Sequence, residues 1–206
     1  MFGRWNGRFG AIWLGIQSGF SVSRQIIQRE RVVSGGQTGV DRAALDAALQ
    51  LGWPVGGWCP LHRRAEDGRI PSRYPLTETP VRSYAVRTEW NVRDSDGTLA
   101  LVLAEISSGT QLTIAAADRL GKPCRIEYLG IDPGCVRSGR LIFPDAETVT
   151  LAGQVAQVVH WIQRTGIRVL NIAGPRGSTS PHVYSAAREF VVELLKQWQV
   201  AAVVQG

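Results

Sequence analysis

The sequence predicts an α/β fold, a Rossmann-like, doubly wound and mostly parallel sheet with helices on both faces. Three observations predict it. Short apolar runs at Val32-Val33, Thr98–Ala104 and Val169–Ala173 lack the alternation of a half-exposed strand and suit strands covered on both sides. Each run leads to a turn rich in Gly, Ser or Pro. Behind each turn, apolar residues recur at helical spacing, so strand, turn and helix alternate as βαβ units require. In such sheets ligands collect beyond the carboxyl ends of the strands, near the topological switch point.

The first unit is the densest. Val32-Val33 runs into Ser34-Gly35-Gly36-Gln37-Thr38-Gly39, and Val40, Ala43, Ala44, Ala47, Ala48 and Leu51 then mark a helix. A glycine turn entering a helix offers free N–H groups and the positive end of the helix dipole to an anion. Trp53–Trp58 reads as a short second strand. Cys59 to Pro80 has neither periodicity, and its Arg63, Arg64, Arg69 and Arg73 stand beside Glu66 and Asp67. A segment of this length is read either as a solvated, self-neutralising loop or as a lid over a ligand. Tyr84–Arg93 is a short helix, and Asp94-Ser95-Asp96-Gly97 a turn. Thr98–Ala104 is the central strand, and Ser107-Ser108-Gly109-Thr110 opens a helix carrying Leu112, Ala115, Ala116 and Leu120. Arg125–Leu129 is a strand, Gly130–Arg140 a loop and Val149–Arg164 a helix. Val169–Ala173 ends at Gly174-Pro175-Arg176-Gly177-Ser178. Ser180 with Pro181 then fits an N-cap and first helical residue ahead of an apolar stripe from Val183 to Trp198.

Composition bounds the rest. At 206 residues the chain suits one domain, read as 31–206, with residues 1–30 as an extension. That extension interleaves Arg4, Arg8, Arg24 and Arg29 with Phe2, Trp5, Phe9, Trp13 and Phe20, and no acid precedes Glu30. Its apolar piece, Ala11–Ile16, is broken by Gly15 and falls short of the ~7–15 residues of a secretory core. A mobile extension is preferred over a basic segment touching a membrane or partner. No stretch approaches the ~20 apolar residues of a transmembrane helix. The net charge of +6 favours anionic partners. Basic residues are scattered rather than striped, which disfavours nucleic acid and leaves a phosphorylated small molecule. Cys59, Cys124 and Cys135 are odd in number and lack paired spacing, as expected of reduced thiols in a cytoplasmic protein. Cys59-Pro60-Leu61-His62 has no matching second half, which argues against structural zinc.

Three strand-end turns should therefore converge: Gly35–Gly39, Ser107–Thr110 and Gly174–Ser178. Neither G-x-G-x-x-G nor G-x-x-x-x-G-K-[ST] occurs, so the site is not an ordinary dinucleotide or P-loop site. Arg176, after Gly-Pro at a strand end, suits a bidentate grip on phosphate. Asp41 has two readings: the Thr38–Asp41 spacing fits a capping box, and its carboxylate also fits a ligand hydroxyl or amine. Asp94 and Asp96 are read as shaping their turn rather than holding a metal. Trp58 and Trp90 are candidates for ring stacking, and His160 and His182 are structural or surface groups. No catalytic set emerges.

Four blocks resemble the molybdenum cofactor carrier family of the Rossmann-like SLOG superfamily. They are Ser34–Ala44, Arg64-Ala65-Glu66-Asp67-Gly68-Arg69-Ile70-Pro71, Thr88–Thr98 with Glu89-Trp90-Asn91, and Asn171–Ser178, within a span from Arg31 to Leu195. The resemblance implies a carrier that binds, stores and protects the molybdenum cofactor (Mo-molybdopterin) without catalysis, through its terminal phosphate and pterin. It also implies a homo-oligomer, commonly a tetramer, exchanging cofactor with molybdoenzymes or cofactor biosynthesis proteins. The metal rides on the ligand's own dithiolene, so protein metal ligands are not required. Turns and blocks together give the candidate contacts Gly35, Gly36, Gln37, Thr38, Gly39, Asp41, Arg42, Arg64, Glu89, Asn91, Ser107, Ser108, Gly109, Thr110, Gly174, Pro175, Arg176 and Ser178. Three departures stand out. Ser107–Thr110 has one glycine where two are expected, residues 1–30 have no counterpart, and the P-G-G-x-G-T-x-x-E signature of the phosphoribohydrolase relatives is absent. The alternatives are a SLOG-type enzyme, such as a nucleoside monophosphate N-glycosidase, with Asp41 or Glu89 as its acid, and a nucleotide sensor without turnover.

Overall fold

In a computed structural model of the chain, the described residues are 30–103, 105–129 and 150–204. The extension before Glu30 and the Gly130–Arg140 loop lie outside them. Five parallel strands form the central sheet: β1 (Arg31–Val33), β2 (Val55–Gly56), β7 (Gly97–Val102), β8 (Cys124–Tyr128) and β9 (Val169–Ala173). Their spatial order is β2-β1-β9-β7-β8. Every residue of β7 and β9 is buried, as their unbroken apolar runs require of strands covered on both faces. Register sets Val32 beside both Val55 and Leu170, and Leu99 beside Ile172.

Helices α1 (Val40–Gln50), α4 (Leu151–Thr165) and α5 (Val183–Val204) pack side by side, with α5 between the other two. Their stripes meet Val32, Leu101, Leu170 and Ile172 of the sheet, burying Val158, Ile162, Phe190, Leu194 and Leu195. Each such side chain contributes about 1.5–3 kcal/mol relative to exposure. Trp53 and Trp198 close that core at 5.0 Å. Helices α2 (Tyr84–Arg93) and α3 (Ser108–Arg119) pack together against the sheet, where Val92, Ala116 and Ala117 form a smaller core. Local chemistry sets the starts: Ser83, Ser107 and Thr150 accept N–H bonds from Val86, Thr110 and Gly153 as N-caps. Among the described residues no helix is long and apolar enough to cross a membrane.

Counting β9 and α5 ahead of β1 turns the strand order of the described residues into 3-2-1-4-5, the first five positions of a Rossmann sheet. The central strand is thus β9, the last strand among the described residues, and not the Thr98–Ala104 run, whose β7 lies beside it and is equally covered on both faces. From β9 the chain passes to α5 on one face, and from the adjacent β7 it passes to α3 on the other. The crevice between those two strand ends is the switch point.

Three expectations are corrected. Trp53–Trp58 is not one strand: the chain turns at Gly57 (φ 128°), leaving β2 in the main sheet and sending β3 (Trp58–Cys59) to pair with β6 (Thr77–Glu78). Cys59–Pro80 is ordered rather than a solvated loop. It contains the hairpin β4 (Arg64–Ala65) and β5 (Gly68–Arg69), and it buries Cys59, Ala65, Ile70, Tyr74 and Leu76 against Leu45. Arg63 holds it together, donating to the carbonyls of Ile70, Pro71, Tyr74 and Leu76 at 2.8–3.1 Å. Ser180 and Pro181 do not open α5; the chain makes a further turn through His182 (φ 69°) before the helix starts at Val183.

Candidate ligand cleft

A cleft of about 210 Å³ opens at the switch point. Its lining comes from five places: Gln37 and Asp41 at the start of α1, Tyr84, Arg87 and Thr88 of α2, Ser107, Ser108, Gly109, Leu112 and Thr113 at the start of α3, the β9 end at Ala173 and Gly174, and Arg176 with Thr179 beyond it.

The floor is a buried ion pair. Arg87 Nη2 lies 3.0 Å from Asp41 Oδ2, and the two side chains are only 12% and 4% exposed. Asp41 Oδ2 also accepts the Gln37 N–H at 3.2 Å. Burial pushes the Asp41 carboxyl above its ordinary value, against the opposing pull of the Arg87 charge and hydrogen bonds from Gln37 and Ser34. Arg87 lies so close to the end of β1 that a Cβ on Gly35 would come within 2.1 Å of its guanidinium, so a larger residue at position 35 would have to displace the Arg87 side chain. The Arg87 Nε is buried and has no hydrogen-bond partner among the described residues.

At the rim stands a group that the sequence did not single out, the carboxylate of Glu66 on the β4–β5 hairpin. It accepts the Ser178 N–H at 3.1 Å and the hydroxyls of Ser178 and Thr38, and Arg176 Nε lies 3.3 Å away. Thr38 Oγ1 accepts the Gly177 N–H at 3.0 Å. Desolvation is the largest single influence on Glu66 and raises its pKa. The donors from Ser178 and Thr38, with the Arg176 charge, outweigh it and hold the carboxyl below its ordinary value. The hairpin is fixed independently. Gln37 Oε1 accepts the Glu66 N–H at 3.0 Å, and Arg42 grips Asp67 with two bonds at 2.5 and 2.7 Å.

The structure divides the candidate residues. Gln37, Asp41, Ser107, Ser108, Gly109, Gly174 and Arg176 line the cleft. Thr38 and Ser178 meet at its rim through Glu66, and Thr110 sits behind, its N–H capped by Ser107 Oγ at 3.3 Å. The others serve the frame. Arg42 Nε donates to the Gly36 carbonyl at 3.1 Å. Pro175 O accepts the Val40 N–H at 3.3 Å, and it would stand 2.4 Å from a Cβ on Gly39, whose φ is 77°. Arg64 stacks over Tyr84 at 5.3 Å. Glu89 pairs with Arg119 at 2.9 Å on the surface, and Asn91 brackets the backbone of Trp58 with bonds of 2.8 and 2.9 Å.

Several expectations change accordingly. The capping box does not form: the N-cap of α1 is Gly39 without a side-chain bond, and Asp41 reaches back to Gln37 rather than Thr38. The N–H groups of Gln37, Thr38, Val40 and Arg42 all bond within the chain, which leaves fewer donors at the start of α1 for an anion. Trp58 and Trp90 meet edge to face at 4.7 Å outside the cleft; the aromatic ring lining it is Tyr84. Asp96 instead accepts from the N–H groups of Arg168 and Val169, while Asp94 takes the Trp58 indole N–H and Arg93. Tyr84, Arg87 and Thr88 were legible in one respect. With Asn91 they recur at i, i+3, i+4 and i+7, a polar stripe on a helix facing inward. Among the described residues no three His, Cys, Asp or Glu side chains cluster to hold a metal ion.

The model of the circularly permutated YpsA SLOG family matches residues 32–195. Among curated proteins no match is found. A crystal structure of a putative molybdenum carrier protein from Syntrophus aciditrophicus SB is similar, with a TM-score of 0.70 and 37% identity, covering 82% of this chain and 96% of that one.

Proposed function

We infer a carrier's role from a premise already in hand: the chain belongs to the circularly permutated YpsA SLOG family. The proposal is that it binds, stores and protects the molybdenum cofactor without transforming it, holding the terminal phosphate and the pterin. One observation carries this reading beyond the similarity to a putative molybdenum carrier protein. The crevice between the ends of β9 and β7 gathers backbone N–H groups, hydroxyls and an arginine beside a tyrosine ring, a set suited to a phosphate joined to a flat heterocycle.

The donor set fits such a ligand. The lining contains neither cysteine nor histidine, and a metal already held by the ligand's dithiolene needs none. The Ser108 hydroxyl and the Arg176 guanidinium can bind anionic oxygen. At about 210 Å³ the cleft is smaller than the roughly 300 Å³ at which small-molecule pockets begin, so one end of the ligand is enclosed and the other lies over the open rim. Two or three charge-assisted bonds at about 1.5–3 kcal/mol each supply most of the roughly 8 kcal/mol of micromolar binding. Contact with the Tyr84 ring adds about 0.5–1.5 kcal/mol.

The enzyme alternative named Asp41 and Glu89. Asp41 is committed to Arg87, and Glu89 to Arg119 outside the cleft. One experiment separates the readings. Protein purified with added molybdenum cofactor should retain pterin, detected as a fluorescent product after oxidation. Absence of retained pterin, with release of free base from a nucleoside monophosphate, would overturn the carrier reading. A homo-oligomer that exchanges cofactor with molybdoenzymes or cofactor biosynthesis proteins belongs to the same proposal.

A further inference from the structure

We propose that the ligand's phosphate binds at the rim corner formed by Thr38, Arg176, Gly177 and Ser178, and that Glu66 fills this corner as an internal anion which the phosphate displaces. The proposal rests on the reading of the cleft as a phosphate-anchored site and deepens it by choosing among the three turns.

The corner has the composition of an oxyanion site. It presents the N–H and hydroxyl of Ser178, the Thr38 hydroxyl and the Arg176 guanidinium, converging on two carboxylate oxygens. Arg176, Gly177 and Ser178 follow the strand that is first in the Rossmann order, the position from which such folds bind phosphate, and Thr38 joins them from the turn after the neighbouring β1. The other two turns are less available. In the Gly35–Gly39 turn the N–H groups of Gln37 and Thr38 are used within the chain, and Ser107 spends its hydroxyl on Thr110. Arg176 and Thr179 line the adjoining cleft, so a phosphate at the corner leaves the rest of the ligand over the Tyr84 side.

A carboxylate and a phosphate compete for these donors because both are compact, planar-to-tetrahedral oxyanions that accept several short bonds. Glu66 can leave without unfolding its hairpin. Its backbone N–H stays on Gln37 Oε1 and its neighbour Asp67 stays on Arg42, so only side-chain rotation is needed. An internal competitor lowers apparent affinity by the fraction of time it vacates the site. A corner closed about 90% of the time weakens phosphate binding about tenfold. The arrangement favours a ligand whose remaining contacts supply the difference, and it weakens the binding of free inorganic phosphate without abolishing it.

The test is calorimetric titration of the full chain and of Glu66→Gln with inorganic phosphate, alongside Arg176→Ala. Glu66→Gln is isosteric and removes the competing charge, so phosphate should bind at least tenfold tighter than to the parent. Arg176→Ala should weaken binding in the Glu66→Gln background. Equal or weaker binding to Glu66→Gln overturns the competition while leaving the phosphate anchor standing. No phosphate binding by either protein overturns the corner assignment, whereas pterin retention tests the carrier reading separately. If Glu66→Gln fails to fold, the parent protein decides. Saturating phosphate should shift the amide resonance of Ser178 and the side-chain carboxyl resonance of Glu66, and an unmoved Glu66 carboxyl overturns the proposal.

Discussion

Replacing Arg87 with methionine tests whether the cleft floor is an ion pair held by the fold. The substitution keeps much of the side-chain volume but removes the charge 3.0 Å from Asp41, a carboxylate that is 4% exposed. Breaking a buried pair from one side leaves the other charge uncompensated, at about 3–5 kcal/mol. For a chain of this size that corresponds to a fall in Tm of about 6–20 °C at roughly 2–4 °C per kcal/mol. The pH dependence has a definite sign. Burial already raises the Asp41 pKa, and losing Arg87 raises it further. A carboxyl whose folded pKa exceeds its unfolded one binds more protons in the folded state, so its contribution is favourable in acid and lost as pH rises through the folded value. The deficit of Arg87→Met should therefore be larger at pH 7 than at pH 5. The assay is urea unfolding of the parent, Arg87→Met, Asp41→Asn and the double variant at both pH values. The double variant should recover at least half of the loss at pH 7, because a neutral amide can still accept the Gln37 N–H. A loss below about 1 kcal/mol in Arg87→Met, or no recovery in the double variant, would refute a charge-paired floor.

Three further outcomes follow from the frame. Gly39→Ala places a Cβ at φ 77° and 2.4 Å from Pro175 O, so it should cost more than about 1 kcal/mol in unfolding experiments, where an open glycine such as Gly52 tolerates more. Ser107→Ala removes the N-cap of α3 and should lower stability by about 1 kcal/mol, read as a Tm decrease of roughly 2–4 °C. The Arg42 hydrogen bond holds the Asp67 carboxyl below its ordinary value, so its stabilisation is present at neutral pH and disappears as pH falls through the folded pKa. Asp67→Asn should thus be less stable than the parent by no more than about 1 kcal/mol at pH 7, as Asp67 is half-exposed, and equal to it in strong acid.

The legible part of the fold was that in which one segment determines its own structure. Val169–Ala173 announced a buried strand, and Tyr84–Arg93 matches α2 at both ends because Ser83 and the Asp94 turn bound it locally. Cys59–Pro80 was illegible for the opposite reason. Its order comes from partners remote in sequence, such as Leu45 under Tyr74, and from one arginine gathering four carbonyls. No periodicity records such contacts. Glu66 was missed likewise: beside Arg64, Asp67 and Arg69 it reads as one charge among several, and only the folded hairpin brings it to Ser178, 112 residues away. Asn91 and Glu89 show the converse. They belong to a recognisable block, yet one fixes Trp58 and the other pairs on the surface.

The glycine-dense Ser34–Arg42 stretch is the strongest local signal in the chain, and the sheet order explains why it gives the donor corner only the Thr38 side chain. In a Rossmann sheet the turn after the central strand faces the ligand's phosphate. Here that strand is β9, at the far end of the sequence, while Ser34–Gly39 follows the neighbouring β1. Its glycines answer to packing: Gly35 admits Arg87, and Gly39 lets α1 lie against the turn after β9. Glycine density records close backbone approach whether the approaching body is a ligand or another part of the chain. Permutation separates the two cases, because it moves the central strand in sequence while leaving its place in the sheet unchanged. The position of a turn in the sheet, not its glycine content, is therefore the better guide to which turn meets the ligand.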